Sequence, residues 1–374
     1  MEPTFPLFRL PENVILEVIK NLCASRLLEF SLISTKTKNI VASLGIEADY
    51  VRIHISLDVD ITVYCRYFNT RLTFYNDSVD QDALIHLDSN QPISAYSVYE
   101  RRTVQSSTQF SFNNWLDHIK TVFCYNKPPN VVFSAGSRQF EMESLKNAIK
   151  SLNQLVLAGG NTEFRSREIL EHFKNANELI LGRNPFEEAC EVQKYFIQNF
   201  DNLVFRDFVS LDDMLLVNSE KVEFSRLMSQ KQFNQFLKHW IRGSNPRLQY
   251  MKLFIDTTDL VSREMYLKGI ECMEMSEESK KEIRQKHGIS DIKMVKIRRK
   301  EGTTAVIATK DYGTFLFIRF YVLFPIFSCY CGAAESFIGC IKDFFTTECN
   351  GYVGWMQCEL ERIGFAYDCY GLSC

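Results

Sequence analysis

The sequence lacks any long apolar run that could cross a membrane. Its nearest approach, residues 315–331, is interrupted by Arg319 and Pro325, whereas a spanning helix needs about 20 predominantly apolar residues. The first residues also lack the basic start of a signal peptide, because Glu2 follows Met1. We therefore expect no membrane partner and a cytoplasmic and/or nuclear location.

Long blocks of one charge sign are absent as well. The formal net charge is -3 and both signs are spread along the chain, so we expect no nucleic-acid partner. The densest basic cluster, residues 293–300, alternates its cations with Val295 and Ile297. This alternation favours the solvated face of a hairpin over a phosphate site.

Motifs for catalysis and metal binding are also missing. The chain contains no P-loop, no Gly-rich dinucleotide fingerprint, no His-Glu-x-x-His, no Gly-x-Ser-x-Gly and no Cys-x-x-Cys. Cysteines are dense near the end, yet Cys340, Cys349 and Cys358 have no histidine near them and no zinc-type spacing. We predict no catalytic residue, no metal and no cofactor, and we treat residues 323–374 as a Cys-rich tail of uncertain status.

Three short helices are predicted in the first 44 residues. Pro11 suits the first turn of a helix, and Ser25 and Ser34 can cap two further helices. The residues that recur at helical spacing after Pro11, and predict one core-facing stripe, are Ile15, Val18, Ile19 and Leu22. Leu16 lies off that stripe. A unit this small buries little surface, so it either binds a partner or caps the domain that follows it.

The same segment resembles the F-box. The residues that carry the resemblance are the run from Phe5 to Ile19, the stretch Leu28–Ser34 and the Lys-Thr-Lys at 36–38. They are similar to the large F-box family expanded in nematodes, in which the motif docks on a Skp-type adaptor that bridges to a cullin and a RING protein. The resemblance implies an adaptor contact formed or supported by Leu10, Pro11, Val14, Ile15, Leu16, Leu27, Leu28, Leu32 and Ser34.

Strand patterns follow the helices. Apolar residues from Val51 to Ile55 alternate with polar ones, and Ile61 and Val63 repeat the alternation after a turn, which predicts a hairpin. Further strands are expected at 71–75 and 96–105. We define residues 50–125 as a strand-rich connecting region.

A 24-residue repeat then appears. Four apolar pairs are set 24 residues apart, and they are Val131/Phe133, Leu155/Leu157, Leu179/Leu181 and Leu203/Phe205. Helical patterns lie between the pairs, at 142–152, 168–173 and 189–196. This period is typical of a leucine-rich-like β/α repeat, which we place at 126–255. A plain α/β domain with chance spacing is the alternative.

Residues 256–322 complete the predicted domain. They contain helical patterns at 264–272 and 277–287 and a hairpin whose turn is Glu301-Gly302. Together with Gly243–Leu248, Leu267–Ile270 and Phe320–Val322, this stretch resembles the type 2 F-box-associated domain found in the same proteins. The predicted fold is therefore mixed α+β and α/β: an F-box at 5–44, a leucine-rich-like β/α repeat domain and a C-terminal hairpin region.

The residue between the two members of each apolar pair points away from the helices, because side chains alternate along a strand. These residues are Val132, Val156, Ile180 and Val204. They predict either a surface that binds the target protein or a face covered by another segment, with the hairpin strands 51–63 as the expected cover.

The resemblance to the F-box and to the F-box-associated domain implies a non-catalytic substrate-recognition subunit of a ubiquitin ligase, with a Skp-type adaptor, a cullin, a RING protein and an unknown target as partners. The alternatives are a repeat scaffold without a ligase role and an enzyme with an unrecognised site.

Overall fold

The computed structural model describes residues 7–74, 84–104, 108–257, 265–287 and 293–323. The chain divides into two compact units, Met1–Asp207 and Phe208–Cys374. The helices are α1 (Glu12–Lys20), α2 (Ala24–Ser31), α3 (Thr35–Ser43), α4 (Phe112–Val122), α5 (Met142–Ile149), α6 (Glu163–His172), α7 (Ala189–Phe196), α8 (Leu211–Leu216), α9 (Gln230–Ile241) and α10 (Glu277–His287). Within these ranges, no helix combines the length and apolar character that crossing a bilayer requires.

Strands account for most of the remaining regular structure. In the first unit they are β1 (Ala48–Ile55), β2 (Val59–Cys65), β3 (Phe68–Phe74), β4 (Ala95–Ser97), β5 (Arg102–Thr103), β6 (Asn130–Phe133), β7 (Gln154–Leu157), β8 (Glu178–Leu181) and β9 (Asn202–Phe205). In the second unit they are β10 (Lys221–Met228), β11 (Tyr250–Asp256), β12 (Lys293–Arg298), β13 (Thr304–Asp311) and β14 (Phe315–Leu323).

The three predicted N-terminal helices are present. Pro11 occupies the position before α1, and its carbonyl accepts the amide of Ile15 at 3.1 Å. Ser34 caps α3 in a reciprocal capping box with Thr37. Two expectations were wrong: Cys23, not Ser25, precedes α2, and Val18 is 47% exposed instead of lying in the core.

The 24-residue spacing is confirmed as strand register. β6, β7, β8 and β9 are parallel neighbours, and Val131 lies opposite Leu155, which lies opposite Leu179 and then Leu203. These residues are buried on the face that packs against helices; for example, Phe205 contacts Phe196 of α7 with ring centroids 5.2 Å apart. Asparagine amides link the strand starts, since Asn177 Nδ2 donates to Asn153 Oδ1 at 3.1 Å. The repeated spacing therefore builds one sheet with helices on one face.

The predicted hairpin of β1 and β2 forms, but its expected position over the repeat strands was wrong. β1 pairs in parallel with β6, so the hairpin extends the sheet of the first unit, whose order is β9-β8-β7-β6-β1-β2-β3-β4-β5. The strand predicted at 96–105 is instead the two short strands β4 and β5. Pairing with β1 satisfies the backbone N–H and C=O groups along the edge of β6. A hairpin that covered the face of the sheet would leave these groups without partners.

Helix α4 was missed by the sequence reading of residues 50–125. Ser111 caps it, with Asn114 completing the capping box. Its buried face is formed by Phe112, Trp115, Leu116, Ile119 and Val122. The spacing of these residues is helical, so the signal was present in the sequence.

The second unit is a mixed sheet in the order β12-β13-β14-β11-β10. The turn predicted at Glu301-Gly302 connects β12 to β13, and Gly302 has φ 101°, a conformation that glycine adopts without strain. Helix α10 spans the predicted residues 277–287. The prediction of a helix at 264–272 was wrong for residues 265–272, which the structure describes. In these residues the only helical element is a short 3-10 turn, Met265–Leu267.

Candidate functional site

The three N-terminal helices leave several apolar side chains exposed. Val14 and Val18, which are 38% and 47% exposed, are separated by four residues and therefore share one face of α1. Phe8, 47% exposed, packs on Phe30 with ring centroids 6.4 Å apart, and Ile33 is 58% exposed. We refer to the Val14 and Val18 side chains as the α1 face. Exposed apolar surface of this kind marks interaction sites.

The nine predicted adaptor residues fall into two groups. Ile15, Leu27, Leu28 and Leu32 are buried. Pro11, Val14 and Ser34 are exposed, whereas Leu10 and Leu16 are half-buried. Sequence reasoning did not include Phe8, Val18 and Ile33 in this set. For Val18, the signal was its i+4 spacing from Val14.

Ion pairs connect α2 to the β4–β5 hairpin. Arg26 contacts Glu100 at 2.9 Å, and Arg102 pairs with Glu29. The Ser25 hydroxyl also donates to Glu100, at 2.8 Å. Single exposed ion pairs contribute little, but this network restricts how the N-terminal helices can turn relative to the sheet of the first unit.

A buried histidine makes the second link between the N-terminal helices and the sheet of the first unit. Nε2 of His118 in α4 lies 2.7 Å from Oγ of Ser31, and Ser31 donates its own proton to the carbonyl of Leu28 at 2.6 Å. Ser31 must therefore accept, so His118 carries its proton on Nε2. Burial and the nearby Lys38 lower the pKa of His118 to about 4. The link is thus made by neutral imidazole at neutral pH.

The four residues predicted to bind the target form one row across the sheet. Val132, Val156, Ile180 and Val204 occupy matching positions on four neighbouring strands. The first three are half-buried, and Val204 is buried. The face continues across β1 to His54, which lies opposite Val132, and then to Asp60 on β2. We call this side of the sheet the open face.

The polar half of the open face contains an ion cluster around Asp60. Its carboxylate accepts from Arg71 and from Thr73, each at 2.6 Å, and His54 Nδ1 lies 3.6 Å away. Burial raises the pKa of Asp60, but hydrogen bonds from His54, Arg71 and Thr73 outweigh it and lower the pKa to about 2. The cluster therefore neutralises the charges next to the apolar row.

We expect Asp60→Asn to lower the free energy of unfolding by about 2 kcal/mol at neutral pH, because it leaves Arg71 without its buried counter-charge. The pKa of Asp60 is lower in the folded than in the unfolded chain, so its carboxylate stabilises the fold at pH values above the unfolded pKa. This contribution is lost as the pH falls towards about 2. Urea titrations of both proteins across acidic pH should show the difference shrinking as pH falls.

Asp58→Asn is the matched control. Burial and the charge of Asp60 raise the pKa of Asp58, so neutralising it should leave stability unchanged or raise it. An equal loss in both variants would contradict the assigned role of the Asp60 cluster.

Among the described residues, no group of three or more His, Cys, Asp or Glu side chains is arranged to hold a metal ion. In the first unit, the α1 face and the open face are the surfaces that the predicted binding residues occupy.

Comparison with known proteins places two domains on this structure. The F-box domain matches residues 7–48, and the domain described as F-box associated matches residues 191–253. A Caenorhabditis elegans protein, F-box associated domain-containing protein sdz-33, is 24% identical over 268 residues, which cover 71% of this chain and 83% of that protein. No solved structure matches. Both resemblances read from the sequence are thereby confirmed.

Proposed function

We propose that this protein is the substrate-recognition subunit of a Skp/cullin/F-box ubiquitin ligase. The observation that carries the proposal is the F-box match over residues 7–48, in a segment whose first helix leaves Val14 and Val18 exposed. F-box proteins are generally adaptor subunits, so ubiquitin transfer belongs to the partners. This chain contributes proximity and orientation, which are themselves large rate factors.

The F-box binds the Skp-type adaptor, and the adaptor connects the protein to a cullin and a RING protein. The side chains proposed for direct contact are Leu10, Pro11, Val14, Leu16, Val18 and Ser34. The buried Ile15, Leu27, Leu28 and Leu32 hold them in place.

The target protein binds the open face, at Val132, Val156 and Ile180. The partial exposure of these side chains at matching positions on neighbouring strands supports this assignment. The 24-residue register supports the classification of the sheet as leucine-rich-like, since such repeats present extended surfaces for binding. Because α2 is fastened to β4–β5 and to His118, a bound target is held at a set position relative to the adaptor.

Reconstitution with a purified Skp-type adaptor tests the proposal. We expect the full chain and the adaptor to form a one-to-one complex in size-exclusion chromatography, with a Kd of about 1 μM or tighter. Separate elution at concentrations of about 10 μM would overturn the ligase role. The repeat-scaffold function would then remain, since a row of repeated strands serves binding without a ligase.

A further inference from the structure

The sheet of the second unit has one fully packed face and one partly open face. On the packed face, Phe320 of β14 contacts Trp240 of α9, with ring centroids 5.0 Å apart. On the other face, α10 covers one end, where Ile283 packs with Met294, Val306 and Tyr321. The rest of that second face lies beyond the cluster that α10 covers.

Six side chains of this remaining area form what we call the aromatic–basic face: Lys252, Phe254, Lys310, Phe315, Phe317 and Arg319. Asp256, opposite Phe315, lies at its margin. The strand register brings them together, because Lys252 lies opposite Arg319, and Phe254 lies opposite Phe317. Lys310 lies opposite Phe317 from the other side. All six are partly exposed, so the area is accessible.

The rings and cations of this face are already ordered by one another. Phe254 packs on Phe317 and Phe315 at centroid distances of 5.2 and 5.8 Å. The Arg319 guanidinium lies 5.0 Å from the Phe317 centroid, and Lys252 Nζ lies 5.8 Å from it. Cation–π contacts and ring packing restrict these side chains before a ligand arrives, which reduces the entropy cost of binding.

The face carries three cations, and the carboxylates of Glu223 and Asp256 lie at its margins. Lys252 pairs with Glu223 at 3.0 Å. By contrast, no carboxylate of the described residues forms an ion pair with Arg319 or Lys310. The Arg319 guanidinium lies over the Phe317 ring, and Lys310 Nζ lies over the ring of Tyr312 at 5.2 Å. Both partners are uncharged, so two positive charges remain available beside exposed rings.

We propose that the aromatic–basic face binds an extended acidic segment of a partner protein that also carries aromatic or aliphatic side chains. Arg319 lies opposite Ala308, so Lys310 is its diagonal neighbour, about 7 Å away. Alternate residues of an extended chain are also about 7 Å apart. Acidic residues two positions apart therefore match the two cations, while an apolar side chain of the same segment packs on the phenylalanine rings.

Charge and ring geometry favour this occupant over a nucleic acid. Strong backbone binding needs several cations that each neutralise a phosphate, and Glu223 cancels one of the three here. The rings pack against one another at 39° and 66°, so they do not form a row of free faces on which successive bases stack. The proposal concerns the second unit and does not depend on adaptor binding by the F-box.

Binding of a random copolymer of glutamate and tyrosine to the full chain, followed by fluorescence anisotropy, tests the proposal. We expect the copolymer to bind, poly-glutamate to bind more weakly and a lysine–tyrosine copolymer not to bind. Lys310→Gln combined with Arg319→Gln should weaken binding of the first copolymer by about tenfold, since two charge contacts are lost. Phe317→Ser should weaken it independently.

Two exposed lysines elsewhere in the same unit supply the control. Lys281→Gln with Lys300→Gln removes the same charge but should leave copolymer binding unchanged, and thermal melts verify that every variant is folded. Equal weakening in the control, or no weakening in either test variant, would overturn the proposal. Tighter binding of single-stranded oligothymidylate would assign the face to nucleic acid instead. Binding that appears only after deletion of residues 324–374 would show that this segment of the chain is the occupant.

Discussion

Val14→Asp combined with Val18→Asp is expected to abolish binding of the Skp-type adaptor, with affinity reduced by about 100-fold or more. Both side chains are exposed on one face of α1, so the substitutions cost little in the free protein. In the complex, each carboxylate would be buried without a partner, which costs several kcal/mol. Isothermal titration with purified adaptor measures the loss.

Ile197→Asp is the matched control for this prediction. Ile197 is also an exposed apolar residue, 54% exposed, and it lies at the end of α7, outside the F-box. The control adds an acidic group to the same unit but should retain full adaptor affinity. Undiminished binding by the Val14/Val18 double variant would show that the adaptor contacts another part of the F-box.

Val156→Asp combined with Ile180→Asp is expected to remove target binding and to leave adaptor binding intact. The two residues are adjacent on the open face, so their carboxylates disrupt the apolar row at its centre and repel one another. Quantitative affinity capture, with the ligase inhibited, should show targets lost from the double variant while the adaptor is recovered in wild-type amount.

Phe164→Asp with Ile197→Asp provides the corresponding control on the helical side of the sheet, where both residues are exposed, at 72% and 54%. This control should retain every target. Val156→Ser with Ile180→Ser is a milder variant in case the acidic pair unfolds the protein, and it should reduce capture in the same direction. A folded double variant that keeps all targets would exclude the open face as the target site.

Local patterns predicted much of this structure because their residues interact with near neighbours. The repeat pairs from Val131/Phe133 to Leu203/Phe205 predicted parallel strands in register, since each strand's apolar residues must face its own helix. The hairpin turn at Glu301-Gly302 and the cap at Ser34 follow from backbone preferences of a few residues. Such features are decided by sequence spacing alone.

Burial and strand pairing over long distances were decided by tertiary structure. Val18 has the spacing of a core residue, yet no element among the described residues covers it in the way that Ile15 and Ile19 are covered, and it remains 47% exposed. The hairpin's place beside β6 depends on which strand edge is open, which no local pattern encodes.

The sequence by itself determined the F-box, the register of the repeat and the residues of the apolar row, because each depends on identity and spacing along the chain. Only the tertiary structure decided that His54, Asp60 and Arg71 form an ion cluster beside that row. The aromatic–basic face arose in the same way, from strands β11, β13 and β14. Charge neutralisation and ring packing are contacts between residues far apart in the chain, so they exist only when strand order brings those residues together.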